Sequence, residues 1–494
     1  MDPSSALQLP ATAPHHTTSF PASSRPLSPS TSSATGIVIF SGGSAANSLV
    51  DVFEHVRAAN SCVLNYVIPI SDNGGSTSEI IRVFGGPGIG DVRSRLVRLI
   101  PEGPETSAIR RFFNHRLPKT YRDAREEWFE ILESSHALWD GISSPKKELI
   151  RSILNSFNLE VVKRMRPTSR FDYSGASIGN LFLTGARLFT GSFEAAICLL
   201  SSICAVPDKV AVLPALNSNF ANHIAAGLAN GDVITGQNDI SHPSAPSAAV
   251  PGSGTNTSGV QTPALQQQVD EMDEHDQVED ANLPGSLPAL RRQAIAYSKE
   301  REEDLPARIE RLWYINPYGQ EIRVPANPRV LDALRTSNTV VYSIGSLFTS
   351  LIPNLVLKGV GELIASRAIR NKILILNGTT DRETGPSTNP LTAFDFVGAI
   401  ANACADSRGL PRPGEDEYFH YVTHVIYLES PTTPKVDKQR FTSVGIDATR
   451  VYGTKGGEGK SIRYDGKALT GALETIIGRR DRRPDRSRRN TLDG

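Results

Sequence analysis

The sequence predicts an α/β protein, a Rossmann-like, doubly wound and mostly parallel sheet carrying a helical insertion. Three observations predict it. Short β-rich runs alternate with helical runs along most of the chain, the pattern of strands joined by crossover helices. Glycine-rich loops follow several of the strand-like runs, where doubly wound sheets bind ligands. Once low-complexity segments are set aside, roughly 390 residues remain, enough for one large core or two linked ones.

The elements follow in order. "GIVIF" from Gly36 is the first strand, and "SLVDVFEHVRAAN" continues from it as a helix. "CVLNYVIPI" is the second strand, and "DVRSRLVRLI" starts another helix. Residues 101–166, including "EEWFEILESSHALWDGI" and "KKELIRSILNSFNLEVVK", are helical with few strand signals. They form an insertion over the sheet's edge. "EAAICLLSSICAV" is a core helix, too short for the ~20 residues that span a bilayer. "KVAVLPAL", "TVVYSI", "KILILN" and "YVTHVIYL" complete the strands, with "PNLVLKGVGELIASRAI" as a helix between them.

Three segments fall outside the core. Residues 1–35 are rich in Ser, Thr and Pro, and lack the charged start and apolar centre of a secretory signal. Residues 241–290 combine "HPSAPSAAVPGSGTNTSG" with the acidic "DEMDEHDQVED". Residues 478–494 are Arg-rich with interleaved aspartates and no aromatic side chain. Such compositions cannot bury enough apolar surface to offset ordering entropy, so all three are expected to be disordered. The α/β domain is then 36–477.

The 52 basic and 52 acidic side chains cancel. This gives no global reason to expect nucleic acid as a partner. The four cysteines (Cys62, Cys198, Cys204, Cys404) form no CxxC pair. Cys198 and Cys204, in an apolar stretch, read as buried thiols; a reducing compartment fits, and a cytoplasmic location is expected. There is no GxSxG elbow, HExxH zinc motif or kinase set. His223 and His242 have no ligand spacing and read as structural.

Chemistry is expected in the glycine-rich loops. "SGGSAANS" (Ser41–Ser48) has neither the lysine of a Walker loop nor GxGxxG spacing. Even so, Gly42 and Gly43 allow close backbone approach to a ligand, and free N–H groups at a helix start favour an anion. A tight structural turn is the equal alternative. In "SDNGGSTSE", Asp72 ends the strand where an acid can hold a ribose hydroxyl or a metal-bound phosphate. Gly74, Gly75 and Ser76 offer an anion nest, with a capping turn as the plain reading. In "GGPGIGDVRSR", Asp91 is placed to cap the helix. Arg93 and Arg95 are expected in its first turn, where the dipole disfavours cations unless they face an anion. After "TVVY", Gly345, Ser346, Thr349 and Ser350 give a hydroxyl-rich turn, and Pro353–Asn354 restart a helix. "LNGTTDRETG" adds Asn377, Thr380, Glu383 and Thr384 to the same edge.

In order, these loops resemble the CofD-like family, which includes 2-phospho-L-lactate transferase and bacterial gluconeogenesis-factor proteins. The matching residues are the turn Ser41–Ser44, the segment Asp72-Asn73-Gly74-Gly75-Ser76 and the turn Gly90-Asp91-Val92-Arg93. Ser177-Ile178-Gly179-Asn180-Leu181 follows, then Gly345–Ser350 leading to Pro353-Asn354-Leu355. Two departures stand out. Asn73 replaces a frequent second aspartate, and Ser343-Ile344-Gly345-Ser346 replaces a frequent Gly-Pro-Gly-Ser.

One branch of that family transfers a phospholactyl-type group from a nucleoside-diphosphate donor to a deazaflavin hydroxyl, using Mg2+ and releasing a nucleoside monophosphate. Another binds nucleotide sugars such as UDP-N-acetylglucosamine and acts in regulation. The resemblance therefore implies a nucleotide or nucleotide-sugar ligand and a Mg2+ ion on Asp72. It makes Asp72 and Arg93 the catalytic candidates. Ser41–Ser44, Asn73–Ser76, Gly90, Asp91, Ser177, Gly179, Asn180, Gly345, Ser346, Thr349, Ser350, Asn354, Asn377 and Thr380 are the binding candidates. A homodimer is expected because symmetric dimers are the commonest oligomers.

Overall fold

The computed structural model describes residues 36–43, 45–71, 74, 76–165, 170–241, 287, 290, 304–455 and 462–478. The tails and nearly all of the acidic insert lie outside them, as do Ser44, Asp72, Asn73, Gly75 and His242.

Three strands open the main sheet: β1 (Gly36–Phe40), β2 (Leu64–Ile68) and β3 (Val210–Pro214). The chain then builds a separate antiparallel sheet from β4 (His223–Leu228), β5 (Val233–Thr235), β6 (Ile309–Ile315) and β7 (Glu321–Ile322). It returns to the main sheet with β8 (Ser337–Tyr342), β9 (Asn371–Ile375), β10 (His424–Tyr427) and β11 (Asp447–Arg450). A hairpin of β12 (Gly453–Lys455) and β13 (Ile462–Tyr464) follows. The main sheet is parallel throughout, in the order β11-β10-β9-β8-β1-β2-β3. Its central strands are apolar because helices cover them; all five residues of β1 and of β2 are buried.

Chain order reverses at β1, which lies between β2 and β8. That is the topological switch point, where loops leaving neighbouring strands diverge and open a crevice. The fold therefore places the turns after β1, β2, β8 and β9 at one end of the sheet.

The covering helices include α1 (Val50–Ala59), α2 (Ser76–Phe84) and α3 (Gly90–Arg98). Helices α4 (Pro104–Asn114), α5 (Tyr121–Leu132) and α6 (Ser144–Arg164) occupy the segment expected to be a helical insertion. Helices α7 (Ile178–Thr190) and α8 (Phe193–Ile203) lead back to β3. Both α4 and α6 pack on α7. Aromatic side chains fill the joints: Trp128 stacks on Tyr173 at 5.5 Å, and Phe84 meets Phe157 at 5.1 Å.

Several expectations need correction. "PNLVLKGVGELIASRAI" forms two short helices, Ile352–Leu355 and Val360–Ala365, because Gly359 takes φ +91° between them. Cys198 is exposed, whereas Cys62, Cys204 and Cys404 are buried; α8 turns its Cys198 side away from the core. The antiparallel sheet adds to the expected strands: β5 and β7 have three and two residues, too few to show a period, whereas β6 ("IERLWYI") has a strand-like composition.

Gly361 marks a close helix contact. A Cβ there would lie 2.0 Å from the Cys404 carbonyl oxygen, in the helix Ala393–Ser407. Gly361→Ala is expected to destabilise the fold by about 1–3 kcal/mol, since backbone must move. Urea unfolding reads this as a lowered midpoint at unchanged m-value. An unchanged midpoint would mean that the two helices separate without cost.

Candidate functional site

The turns that meet at the strand ends touch one another through small residues. A Cβ on Gly42 would lie 2.3 Å from Ser350 Oγ, and one on Gly43 would lie 1.8 Å from Asp91 Oδ1. Gly345, at φ +145°, lies against the same Ser350. Glycine is therefore required here for approach, and the turns after β1 and β8 close on the start of α3. Asn377, after β9, locks the β8 turn: Gly345 N donates to Asn377 Oδ1 at 2.9 Å, and Asn377 Nδ2 donates to Gly345 O at 2.8 Å. Asn47 Nδ2 donates to Ser94 Oγ at 2.8 Å and ties the β1 loop to α3 a second time.

The opposite wall is cationic. Arg93 is buried, and among the described residues its side-chain acceptors are amide oxygens: Nε donates to Asn180 Oδ1 at 3.2 Å and Nη1 to Asn114 Oδ1 at 3.0 Å. Asn180 Nδ2 in turn donates to Ser76 Oγ at 3.3 Å. This links the start of α7 to the start of α2. Burial, and then the charge of Arg116, pushes the Arg93 guanidinium down to about 10, so it stays charged at neutral pH. Arg95 Nη2 reaches Ser41 Oγ and Gly42 O, each at 3.3 Å. A second buried cation, Arg187, donates to Phe84 O and Gly85 O and braces the turn that leads into α3.

The third feature is a buried carboxyl. Glu383 Oε2 accepts from Phe348 N at 2.8 Å and Thr349 N at 2.9 Å, while Oε1 accepts from Thr349 Oγ1 at 2.5 Å and Ser241 Oγ at 2.7 Å. Burial, and then neighbouring Asp381, pushes it up to about 7. Burial also raises Asp381, which the Ser346 hydroxyl contacts. Together they clamp the turn Leu347–Leu351, whose Ser350 meets Gly42.

The structure sorts the expected residues. Ser41, Gly42, Gly43, Gly90, Asp91, Arg93, Ser76, Asn180, Gly345, Ser346, Ser350 and Asn377 belong to one connected set of loops, and Gly74 lies two residues before Ser76. Asp72, the expected catalytic and metal residue, lies outside the described residues together with Ser44, Asn73 and Gly75. Others serve the scaffold. Ser177 Oγ donates to Phe113 O, and Gly179 makes room for Arg93 Cδ, which would lie 2.7 Å from a Cβ there. Asn354 is fully buried and donates to Ser350 O, Thr349 is held by Glu383, and Thr380 is exposed beside Thr432.

Two expectations about α3 change. Its N-cap is Ile89, so Asp91 stands inside the first turn and faces Gly43. Arg95 falls in the second turn, because the helix begins at Gly90. His223 is buried on β4, where burial pushes it down to about 4 and keeps it neutral.

Sequence reasoning missed Asn114, Arg116, Ser241, Asp381 and Tyr464. The Tyr464 hydroxyl donates to Leu376 O at 2.7 Å and Ile426 O at 3.1 Å, seating the β12–β13 hairpin over the ends of β9 and β10. No local motif marks any of these five. A separate cavity of about 250 Å3 lies between β6 and the helix Ala393–Ser407. Its rim arginines, Arg311 and Arg412, are already paired with Asp406 and Glu310. Among the described residues, no group of three or more His, Cys, Asp or Glu is placed to hold a metal ion. No helix among them is long and apolar enough to cross a membrane.

Comparison with known proteins agrees with this arrangement. Residues 37–454 match the family model described as 2-phospho-L-lactate transferase CofD. An uncharacterized protein of Saccharomyces cerevisiae is 39% identical over 404 residues, covering 80% of this chain and 90% of that one. The gluconeogenesis factor of Halalkalibacterium halodurans is 22% identical over 368 residues, covering 74% and 73%. A crystal structure of a Bacillus halodurans protein, described as a member of the UPF0052 family, superposes with TM-score 0.52 at 18% identity, covering 89% of this chain and 99% of that one. At that identity the likeness shows the fold alone. By the extent of the family match and the order of its strand-end turns, this chain belongs to the CofD family.

Proposed function

We propose that the crevice at the switch point binds a nucleoside-diphosphate-type ligand, and that the protein transfers the ligand's phospho-acyl-type group to an acceptor hydroxyl. The observation that carries the binding reading is Arg93, a buried guanidinium whose hydrogen-bond acceptors are the neutral amides of Asn180 and Asn114. A buried cation without a carboxylate partner is costly, and an anionic ligand supplies the missing charge. The Gly42–Gly43 turn adds close backbone approach beside it.

In the transfer, the acceptor oxygen forms a bond to the distal phosphorus and the bridging P–O bond breaks. The nucleoside monophosphate leaves with the electron pair, and the hydroxyl proton is released. Positioning and charge neutralisation are sufficient for such chemistry, which explains how a loop without lysine can serve. Asp72 is the proposed residue for the metal and for orienting the acceptor. Among the described residues the carboxylate beside Gly43 is Asp91, the buried Glu383 and Asp381 are engaged by the turn after β8, and no group of three or more His, Cys, Asp or Glu is placed to hold a metal ion. Mg2+ is usually held by one or two carboxylates together with substrate phosphates and water, and Asp72 would be such a ligand of the ion. No step is derived through it.

A second reading, a nucleotide-sugar-binding regulator, draws on the relatives named gluconeogenesis factor. It also draws on the Glu383 clamp, which holds the β8 turn from outside the crevice.

Calorimetric titration of the full chain with GDP, UDP and UDP-N-acetylglucosamine, followed by phosphorus NMR with Mg2+ or EDTA, tests both readings. Binding with EDTA-sensitive monophosphate release supports the transferase. Saturable binding with no turnover supports the regulator. No binding by any member of the panel would remove both.

A further inference from the structure

Arg95 is the most deeply buried charge among the described residues, with 0% of its surface exposed. Its Nη2 has two long contacts, to Ser41 Oγ and Gly42 O, while Nε and Nη1 have no hydrogen-bond partner. The guanidinium lies over the Tyr66 ring, 4.5 Å from its centroid, and Tyr66 is its nearest favourable neighbour, although no well-formed hydrogen bond joins the two side chains. Among the described residues, no carboxylate lies within ion-pair distance of Arg95. Asp91, one turn earlier on α3, contributes favourable charge without pairing to it.

Arginine does not escape such a place by losing its proton. A methionine would fill similar volume at that position without a charge to desolvate, and replacing buried ionic groups by packed apolar ones is often neutral or stabilising. The fold alone gives no reason for a cation beneath the glycine turn. The turn's own position does. Both groups to which Arg95 donates belong to Ser41 and Gly42, in the turn that meets Ser350 and the start of α3 at the switch point.

We propose that Arg95 is a positioning residue for the anionic ligand. From beneath, it fixes the Ser41–Gly43 turn through the Ser41 hydroxyl and the Gly42 carbonyl, and the bound diphosphate compensates its charge. This rests on the diphosphate reading above. It adds that α3 serves the anion from two sides, with Arg93 at the crevice wall and Arg95 under its floor. In low dielectric, a charge that does not touch the ligand still acts on it across the turn.

The test compares wild type with Arg95→Met and Arg95→Lys as full-length chains. Two quantities are read: thermal midpoint without ligand, and affinity for GDP, UDP-N-acetylglucosamine and inorganic pyrophosphate at low and high salt. The expected result for Arg95→Met is a midpoint equal to or above wild type, with at least about tenfold weaker binding of whichever of these probes the wild type binds. The salt dependence of that binding should also be shallower, and Arg95→Lys should recover part of the affinity. A lowered midpoint with unchanged affinity would make Arg95 a structural residue and overturn the proposal. So would wild-type affinity in Arg95→Met at an unchanged midpoint. If the wild type itself binds none of the three probes, the diphosphate reading fails first and takes this inference with it. The wild-type arm therefore separates the two failures.

Discussion

Arg93→Met will lower affinity for a nucleoside diphosphate by about 100-fold or more, with little loss of fold stability. The magnitude follows from removing one partner of a desolvated charged contact, which typically costs ~2–5 kcal/mol; 1.4 kcal/mol is tenfold, so about 3 kcal/mol, within that range, gives 100-fold. The small stability effect has a local reason. Arg93 is held by two neutral amides, Asn180 and Asn114, so among the described residues its loss strands no buried carboxylate. Methionine also keeps most of the stem volume that lies against Gly179. Calorimetry on the variant, with a urea titration as control, checks both halves. Equal affinity in variant and wild type would place the anion elsewhere in the crevice.

Glu383→Ala is expected to be the most damaging single change at the site. It removes the acceptor of Phe348 N and Thr349 N together with the partner of the Thr349 and Ser241 hydroxyls. Leaving two buried amides unsatisfied costs roughly 2–6 kcal/mol in all, at ~1–3 kcal/mol each. The turn they hold carries Ser350 against Gly42, so ligand affinity should fall along with stability. Glu383→Gln should behave differently, because its carbonyl can accept from the two amides and its NH2 can donate to the hydroxyls.

The same carboxyl sets a pH dependence whose sign is opposite to that of a salt-bridged acid. Its pKa is pushed up to about 7 in the folded protein, from an ordinary 4.5. Between those values the folded state holds a proton that the unfolded state has released. The contribution is therefore complete below about pH 4.5 and is lost as pH rises through about 7. Asp381, also raised by burial, acts in the same direction. Thermal midpoints measured from about pH 5 to 8 should decline in wild type and decline less in Glu383→Gln. Identical slopes for the two proteins would show that Glu383 is ionised throughout.

Local pattern carried the main sheet. The runs "GIVIF", "TVVYSI" and "KILILN" became β1, β8 and β9 because a strand buried on both faces has to be apolar along its length. The order of the glycine turns was equally readable, since close backbone approach excludes side chains at Gly42, Gly43 and Gly345 whatever else surrounds them. The antiparallel sheet was not readable. Its strands β4 (ending at Leu228) and β6 (beginning at Ile309) lie far apart in the chain, and β5 and β7 are too short to show a period.

Which polar groups meet at the site was decided by tertiary structure. Arg93 meets Asn180 across 87 positions, Ser241 meets Glu383 across 142, and Tyr464 caps carbonyls 88 and 38 positions away. Residue type states what each group can donate or accept, and spacing states which face of an element it occupies. Neither states which groups share a desolvated space. Burial raises the Glu383 carboxyl well above its ordinary range, and it makes Arg95 a charge in search of an anion. Both are consequences of the packing around side chains that looked ordinary in the linear sequence.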